Sequence, residues 1–203
     1  MNSSIQAITF NKVDVLSDSE LVVKSIAGGE TEFEELVCRY QRPIAAYVYR
    51  MVGNYESALD LTQEVFIKVY NSLARYSSEY KFSTWIYKIA HNASIDHLRR
   101  TATRVQALVA ESDGEMYERP LESGKLTPEQ ESEMRERREE IEGVVKNLPS
   151  VYKELIVLRH SLDMSYDEIA DVTGLPLGTV KNRLFRAREM MRDVLVQRGI
   201  TQA

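Results

Sequence analysis

Cysteine is almost missing from this chain. Cys38 is the single one in 203 residues, so no internal disulfide and no cysteine-based zinc cluster can form. It stands among Leu36, Val37 and Tyr40 and reads as a small core residue. Histidine is scarce too, limited to His91, His97 and His160. On a helix, a spacing of six would set His91 and His97 about 120° apart, too far around to share a metal ion. The sequence has no phosphate-cradling glycine loop, no nucleophile elbow and no H-E-x-x-H pair. Its many mid-chain carboxylates lack the apolar setting that tunes a pair for acid–base work. The expectation is a protein that is not an enzyme, with no metal, cofactor or small-molecule substrate. An apolar run of 18 residues is absent, as is a basic start followed by an apolar segment, so neither a membrane span nor a signal peptide is expected. The chain reads as soluble and cytoplasmic.

What is present is helical periodicity. Strand-like alternation of useful length is missing through Arg100, and there is no repeat of 20–50 residues. Hydrophobic residues make up 43%, enough for a buried core. The net charge is −5 but unevenly spread: residues 1–100 hold 11 basic and 12 acidic groups, 101–142 hold 6 and 12, and 143–203 hold 9 and 7. An acidic middle therefore precedes a basic end, which matters more for binding than the sum.

In chain order, residues 1–16 read as a mobile lead-in. Ser17, Asp18 and Ser19 offer caps for a helix to Ala27, stopped by Gly28-Gly29. Thr31 with Glu34 has the spacing of a capping box for a second helix to Met51, with Pro43 expected to kink it. A third helix spans Glu56 to Ala74, and a fourth opens at Ser83 or Thr84 and runs to Arg100. These make an antiparallel bundle over 17–100. Residues 101–127 read as an acidic flexible linker, with turn formers and few apolar residues. Residues 128–203 carry a second helical unit. The expected fold is all-α: two small helical domains joined by that linker, the second containing a helix-turn-helix.

The helix-turn-helix is the stretch SYDEIADVTGLPLGTVKNRLFRAREMMR, Ser165 to Arg192. Gly174 can take positive φ, and Pro176 suits a helix start better than its interior. Val180, Leu184, Ala187 and Met191 fall on one narrow apolar face. The opposite face carries Asn182, Phe185 and Arg186, flanked by Lys181, Arg183 and Arg188. From Gly178 to Arg192 there are five Lys/Arg and one acidic residue, the pattern of a second helix that enters a DNA major groove.

Two further constellations stand out. Tyr76, Tyr80, Phe82, Trp85 and Tyr87 are interleaved with Arg75, Lys81 and Lys88, a composition suited to stacking unpaired bases while cations meet phosphates. Phe82 and part of Trp85 are expected in the core. Asp60, Gln63, Glu64 and Phe66 form a mixed acidic and apolar protein-docking surface on the third helix. On the residues alone, a dimeric operator-binding regulator and a two-bundle adaptor remain open. The aromatic segment favours neither, since neither has to hold unpaired bases.

Three stretches, DLTQEVFIKVYNSL, KFSTWIYKIAHNASIDHLRR and LPSVYKELIVLRHSLDMSYDEIADVTGLPLGTVKNRLFRARE, resemble the extracytoplasmic-function (ECF) sigma factors of bacterial RNA polymerase in order and spacing. The resemblance implies a chain with sigma regions 2 and 4 only. It implies that Asp60, Gln63, Glu64 and Phe66 dock on the clamp of core RNA polymerase. Tyr76, Tyr80, Lys81, Phe82, Ser83, Thr84, Trp85, Lys88, Asn92, Asp96 and Arg99 would melt and read the promoter −10 element. Lys181, Asn182, Arg183, Phe185, Arg186 and Arg188 would read the −35 element, with region 4 also touching the polymerase flap. The acidic connector would occupy the RNA-exit path. Promoter DNA and core polymerase are the implied partners, together with an anti-sigma factor, which in that family is often membrane-anchored.

Overall fold

The computed structural model describes residues 16–108 and 139–199, with side chains over 16–103 and 139–199. Regular structure among the described residues is helical throughout. Helix α1, Asp18–Ile26, starts on a full capping box: the Ser17 hydroxyl accepts from the Glu20 N–H, and the Glu20 carboxylate accepts the Ser17 N–H at 2.8 Å. Helix α2, Glu30–Val52, begins two residues earlier than a cap at Thr31 would place it. Gly29 is its N-cap without a side-chain bond, and the Thr31 hydroxyl donates to Glu32 instead. Pro43 lies inside α2, which runs on through it. Buried Leu36 before it and Ile44, Tyr47, Val48 and Met51 after it tie both halves to one core, offsetting the roughly 3 kcal/mol that an interior proline costs. That stripe leaves Cys38 on the outer side. The cysteine is exposed, which corrects its reading as a core residue.

Helix α3, Tyr55–Ser72, is capped by the Asn54 side chain on the Ser57 N–H and buries Ala58, Leu61, Thr62, Val65 and Val69. A 3-10 turn, Leu73–Arg75, leads into the link before α4, Phe82–Leu108. Helix α4 continues past the expected end at Arg100, because no glycine or proline interrupts TATRVQAL. Phe82, Ile86, Ala90 and Ala93 recur along it as buried positions. Helices α1 to α4 pack as the predicted bundle, α2 lying against α1, α3 and α4.

The second unit begins, among described residues, with helical residues 139–146 (α5), followed by Pro149 and α6, Ser150–Ile156. A wider helical turn, Val157–Ser161, extends α6. Helix α7, Tyr166–Thr173, opens on a second capping box between Ser165 and Glu168. Gly174 at φ 71° then reverses the chain, and α8, Leu177–Gln197, follows Pro176. Val180, Leu184 and Ala187 are fully buried and Met191 packs against them, as the apolar face predicts. The predicted helix-turn-helix is therefore α7, the Gly174 turn and α8.

The two units also meet. Helix α7 packs along α4 and α6 reaches α2, so buried side chains from both units form one continuous apolar cluster.

Leu184 is wholly buried on the face of α8, a helix that packs against α6 and α7. Leu184→Ala should destabilise the protein by about 2–5 kcal/mol, as deletion of a buried leucine does elsewhere. Urea unfolding followed by far-ultraviolet circular dichroism measures this, and a change below about 1 kcal/mol would contradict the packing described.

Candidate nucleic-acid interface

On α8 the side chains of Lys181, Asn182, Phe185 and Arg186 are exposed on the side opposite the buried stripe. Phe185 is 62% exposed, unusual for a ring and suited to apolar contact with a base edge. Arg188 is exposed, its guanidinium 3.4 Å from the Tyr166 hydroxyl. Arg183 differs from the other five, being half-buried with its guanidinium 3.8 Å from the Glu154 carboxylate. The sequence reading missed Arg159. It lies over the Tyr166 ring at 5.4 Å and donates to the Met164 carbonyl at 2.7 Å, so Tyr166 is flanked by two arginines. Periodicity could not assign Arg159, which falls in the wider turn after α6.

The aromatic segment is largely self-packed. Tyr76, Phe82 and Trp85 contact one another with centroids 5.4 to 5.7 Å apart, and the Tyr76 hydroxyl donates to the Tyr80 carbonyl at 2.6 Å. Tyr87 is buried edge-on against Tyr47 on the other side of α4. Tyr80, 53% exposed, is the ring most open to solvent, while Tyr76 and Trp85 are half-buried. Phe82 and Thr84 are buried at 3% and 5%, so in this structure they support the segment and do not line its surface. Ser83 is half-buried, and Lys81, Lys88, Asn92, Asp96 and Arg99 are exposed.

Asn92 and Asp96 share an open hollow of about 500 Å³ between α3 and α4 with Lys68, Asn71, Arg75 and Ile89. Its lining mixes amide, carboxylate and cation around an apolar floor, the composition that reads a base edge while meeting its phosphate. Lys68 and Asn71 were not among the predicted residues. They sit on the third helix, whose spacing marks them only as solvent-facing.

Asp60, Gln63 and Glu64 are exposed together along α3, with Ile67 exposed at 61% beside them. Phe66 is half-buried and packs against the core, one turn from Gln63 on the same flank of the helix and opposite Glu64. Ile67 thus joins the three polar residues on the exposed face, while Phe66 borders that face beside Gln63 with its ring partly taken into the core. Asp60 and Glu64 also border a smaller hollow of about 280 Å³ opposite His97 and Arg100 of α4.

Unusual ionisation is concentrated where the two units meet. Glu168 is held down to about 2, first by the Lys81 ammonium at 2.8 Å and then by the Ser165 N–H. The same carboxylate thus caps α7 and reaches the segment before α4. Burial pushes Glu154 up to about 7, with Arg183 pulling the other way. Burial also pushes His91 down to about 4, so it is neutral at pH 7, its Nδ1 3.2 Å from the Tyr47 hydroxyl.

A helical bundle with an open polar hollow, beside a helix-turn-helix with an exposed basic face, defines a two-part helical nucleic-acid-binding protein. Comparison narrows that class. Residues 36–104 match sigma-70 region 2, and residues 138–191 match sigma-70 region 4. The chain is 35% identical over 177 residues to the ECF RNA polymerase sigma factor SigW of Bacillus subtilis, covering 85% of this chain and 94% of that one. It is 35% identical over 184 residues to the ECF RNA polymerase sigma-E factor of Escherichia coli K12, covering 86% and 92%. The fold is similar to that of CnrH, solved in complex with the cytosolic domain of CnrY, at 22% identity and a TM-score of 0.62 over 89% of this chain and 97% of that one. It is also similar to the sigma factor RpoE, solved with the anti-sigma factor NepR from Bartonella quintana, at 20% identity and 0.66 over 81% and 96%. The chain belongs to the ECF sigma factors.

Glu154 gives this interface a pH dependence of definite sign. Its carboxyl is raised in the folded state, so folding favours the protonated form. The stability it allows is greatest below about 4.5 and declines as pH rises to about 7. Glu154→Gln removes that decline and should be more stable than the parent at pH 8 by about 1–3 kcal/mol. At pH 5 the two should differ little, because His91 titrates alike in both. Urea midpoints at the two pH values measure this, and a Gln variant less stable than the parent at pH 8 would contradict it.

Proposed function

We propose that this chain is an alternative sigma factor that binds core RNA polymerase and directs promoter-specific transcription initiation. The observation that carries the reading is the pair of region matches, in order, on two helical units that each keep an exposed polar face for a ligand. Residues 17–100 form region 2, residues 101–127 the acidic linker along the RNA-exit path, and residues 128–203 region 4, which also meets the polymerase flap. Residues 1–16 precede both. The protein works in the cytoplasm, where the polymerase is, and an anti-sigma factor restrains it.

Asp60, Gln63 and Glu64, together with Ile67, dock on the polymerase clamp. The outward face of α8 reads duplex DNA at −35 through Arg186, Lys181, Asn182 and Phe185, with Arg188 on the adjoining phosphates. A bidentate arginine–guanine pair contributes about 1–3 kcal/mol of discrimination. At −10 the duplex is opened, and an unpaired base enters the hollow lined by Asn92, Asp96 and Arg75. Extrusion costs a few kcal/mol of stacking, which contacts at this hollow and at Tyr80, Lys81 and Lys88 offset. Alone, each contact is weak, because a chain of net charge −5 neutralises few phosphates. Core polymerase fixes the spacing of the two units and joins two weak readings into one multivalent grip. Bond-making stays with the polymerase.

Two substitutions separate the roles. Arg186→Ala should lower initiation from a promoter that carries the −35 element by roughly tenfold while leaving core binding intact. Unchanged promoter selectivity would remove Arg186 from the reading face. Glu64→Lys should weaken capture of core polymerase in a pull-down, and normal affinity would take α3 out of the docking surface.

A further inference from the structure

Tyr40 lies on the inward side of α2, one turn after buried Leu36 and one turn before buried Ile44. It is half-buried and held at both ends. At one end its hydroxyl donates to the Asp18 carboxylate at the start of α1. The other oxygen of that carboxylate meets the Arg39 guanidinium at 2.9 Å, and Arg39 also meets Glu35 at 2.9 Å. Burial, with the Asp18 charge beside it, pushes the Tyr40 phenol up, so it stays protonated and remains the donor. At the other end the Tyr40 ring stands edge-on to Phe82, centroids 5.3 Å apart and planes at 72°.

Phe82 is the first residue of α4 and is 3% exposed. Its ring in turn meets Tyr76 and Trp85, each at 5.7 Å, and those two meet each other at 5.4 Å. Bonds inside the link before α4 are short-range: the Tyr76 N–H to the Leu73 carbonyl, the Tyr80 N–H to the Ser77 carbonyl, and the Tyr76 hydroxyl to the Tyr80 carbonyl. Such bonds shape a link without fixing its place on a bundle. The rings do fix it, because edge-to-face and offset contacts hold over a narrow range of distance and tilt. A continuous path therefore runs from Asp18 on α1, through Tyr40 on α2 and Phe82 on α4, to the two half-buried rings.

We propose that Tyr40, tethered by Asp18, is a positioning residue for −10 reading: through Phe82, its ring sets the height and tilt at which Tyr76 and Trp85 stand. Tyr40 touches no base itself. The role rests on the assignment of this segment to opened DNA, whereas the ring relay does not.

Trp85 is the only tryptophan in the chain, so its emission reports this cluster alone. In the full chain, Tyr40→Leu keeps an apolar side chain without a ring. It should move Trp85 emission to longer wavelength and ease its quenching by acrylamide. Tyr40→Phe, which keeps the ring and loses the bond to Asp18, should fall between that variant and the parent. Holoenzymes made with purified core polymerase are then compared by run-off transcription from promoters intact or scrambled at −10 or at −35. Tyr40→Leu should lower the preference for the intact −10 element by roughly fivefold and leave the −35 preference unchanged. Both are ratios, so a smaller folded fraction does not alter them. Unchanged Trp85 emission in Tyr40→Leu would overturn the relay, as would a Phe variant no better than the Leu one. Altered emission with an unchanged −10 preference, or equal losses at −10 and −35, would overturn the positioning role. If the parent chain directs no new start site with core polymerase, the sigma-factor reading itself fails, and emission from the free chain still decides the relay.

Discussion

Helix α4 is the constraint on which the rest depends. It is the spine of the first bundle through Phe82, Ile86, Ala90 and Ala93, and it is also the surface over which the second unit lies. A helix with two buried sides has little left to offer a ligand, and what remains is concentrated at Lys81, Lys88, Asn92 and Asp96. The hollow next to α3 opens on that remaining strip. Packing thus decides which strip of α4 stays open to solvent.

Electrostatics follow the same division. The chain is acidic as a whole, yet the exposed face of α8 is basic, and two acidic groups of the second unit are paired with cations. Glu168 is paired with Lys81 and caps α7, and Glu154 is buried beside Arg183. An exposed pair such as the first contributes little stability, typically below about 1 kcal/mol. Its importance is positional, because it joins the N-terminus of the helix-turn-helix to the segment before α4.

The helices and the helix-turn-helix were legible in the sequence because their apolar spacing is regular and their ends are marked. Ser17 with Glu20, Asn54, Gly53 and Gly174 all act where local chemistry places them. The Thr31 and Glu34 spacing misled because Gly29 can start the helix without a side chain, while α2 runs on through Pro43 because both halves are tied to one core. Cys38 has apolar neighbours in sequence but lies off the stripe they form. The site was legible by composition and not by facing. Spacing could not show that Tyr76, Phe82 and Trp85 pack on one another, that Phe66 turns inward, or that Arg183 meets Glu154. Each depends on a partner distant in the chain.

A duplex-binding regulator would also display the face of α8, and what separates it from a sigma factor is dependence on polymerase. The most direct measurement is run-off transcription by purified core RNA polymerase on a promoter library, with and without this chain. The account predicts new, discrete start sites only when both are present, from promoters that share two spaced elements. Tight binding of the free chain to duplex DNA, with no new start site in the presence of core, would contradict it.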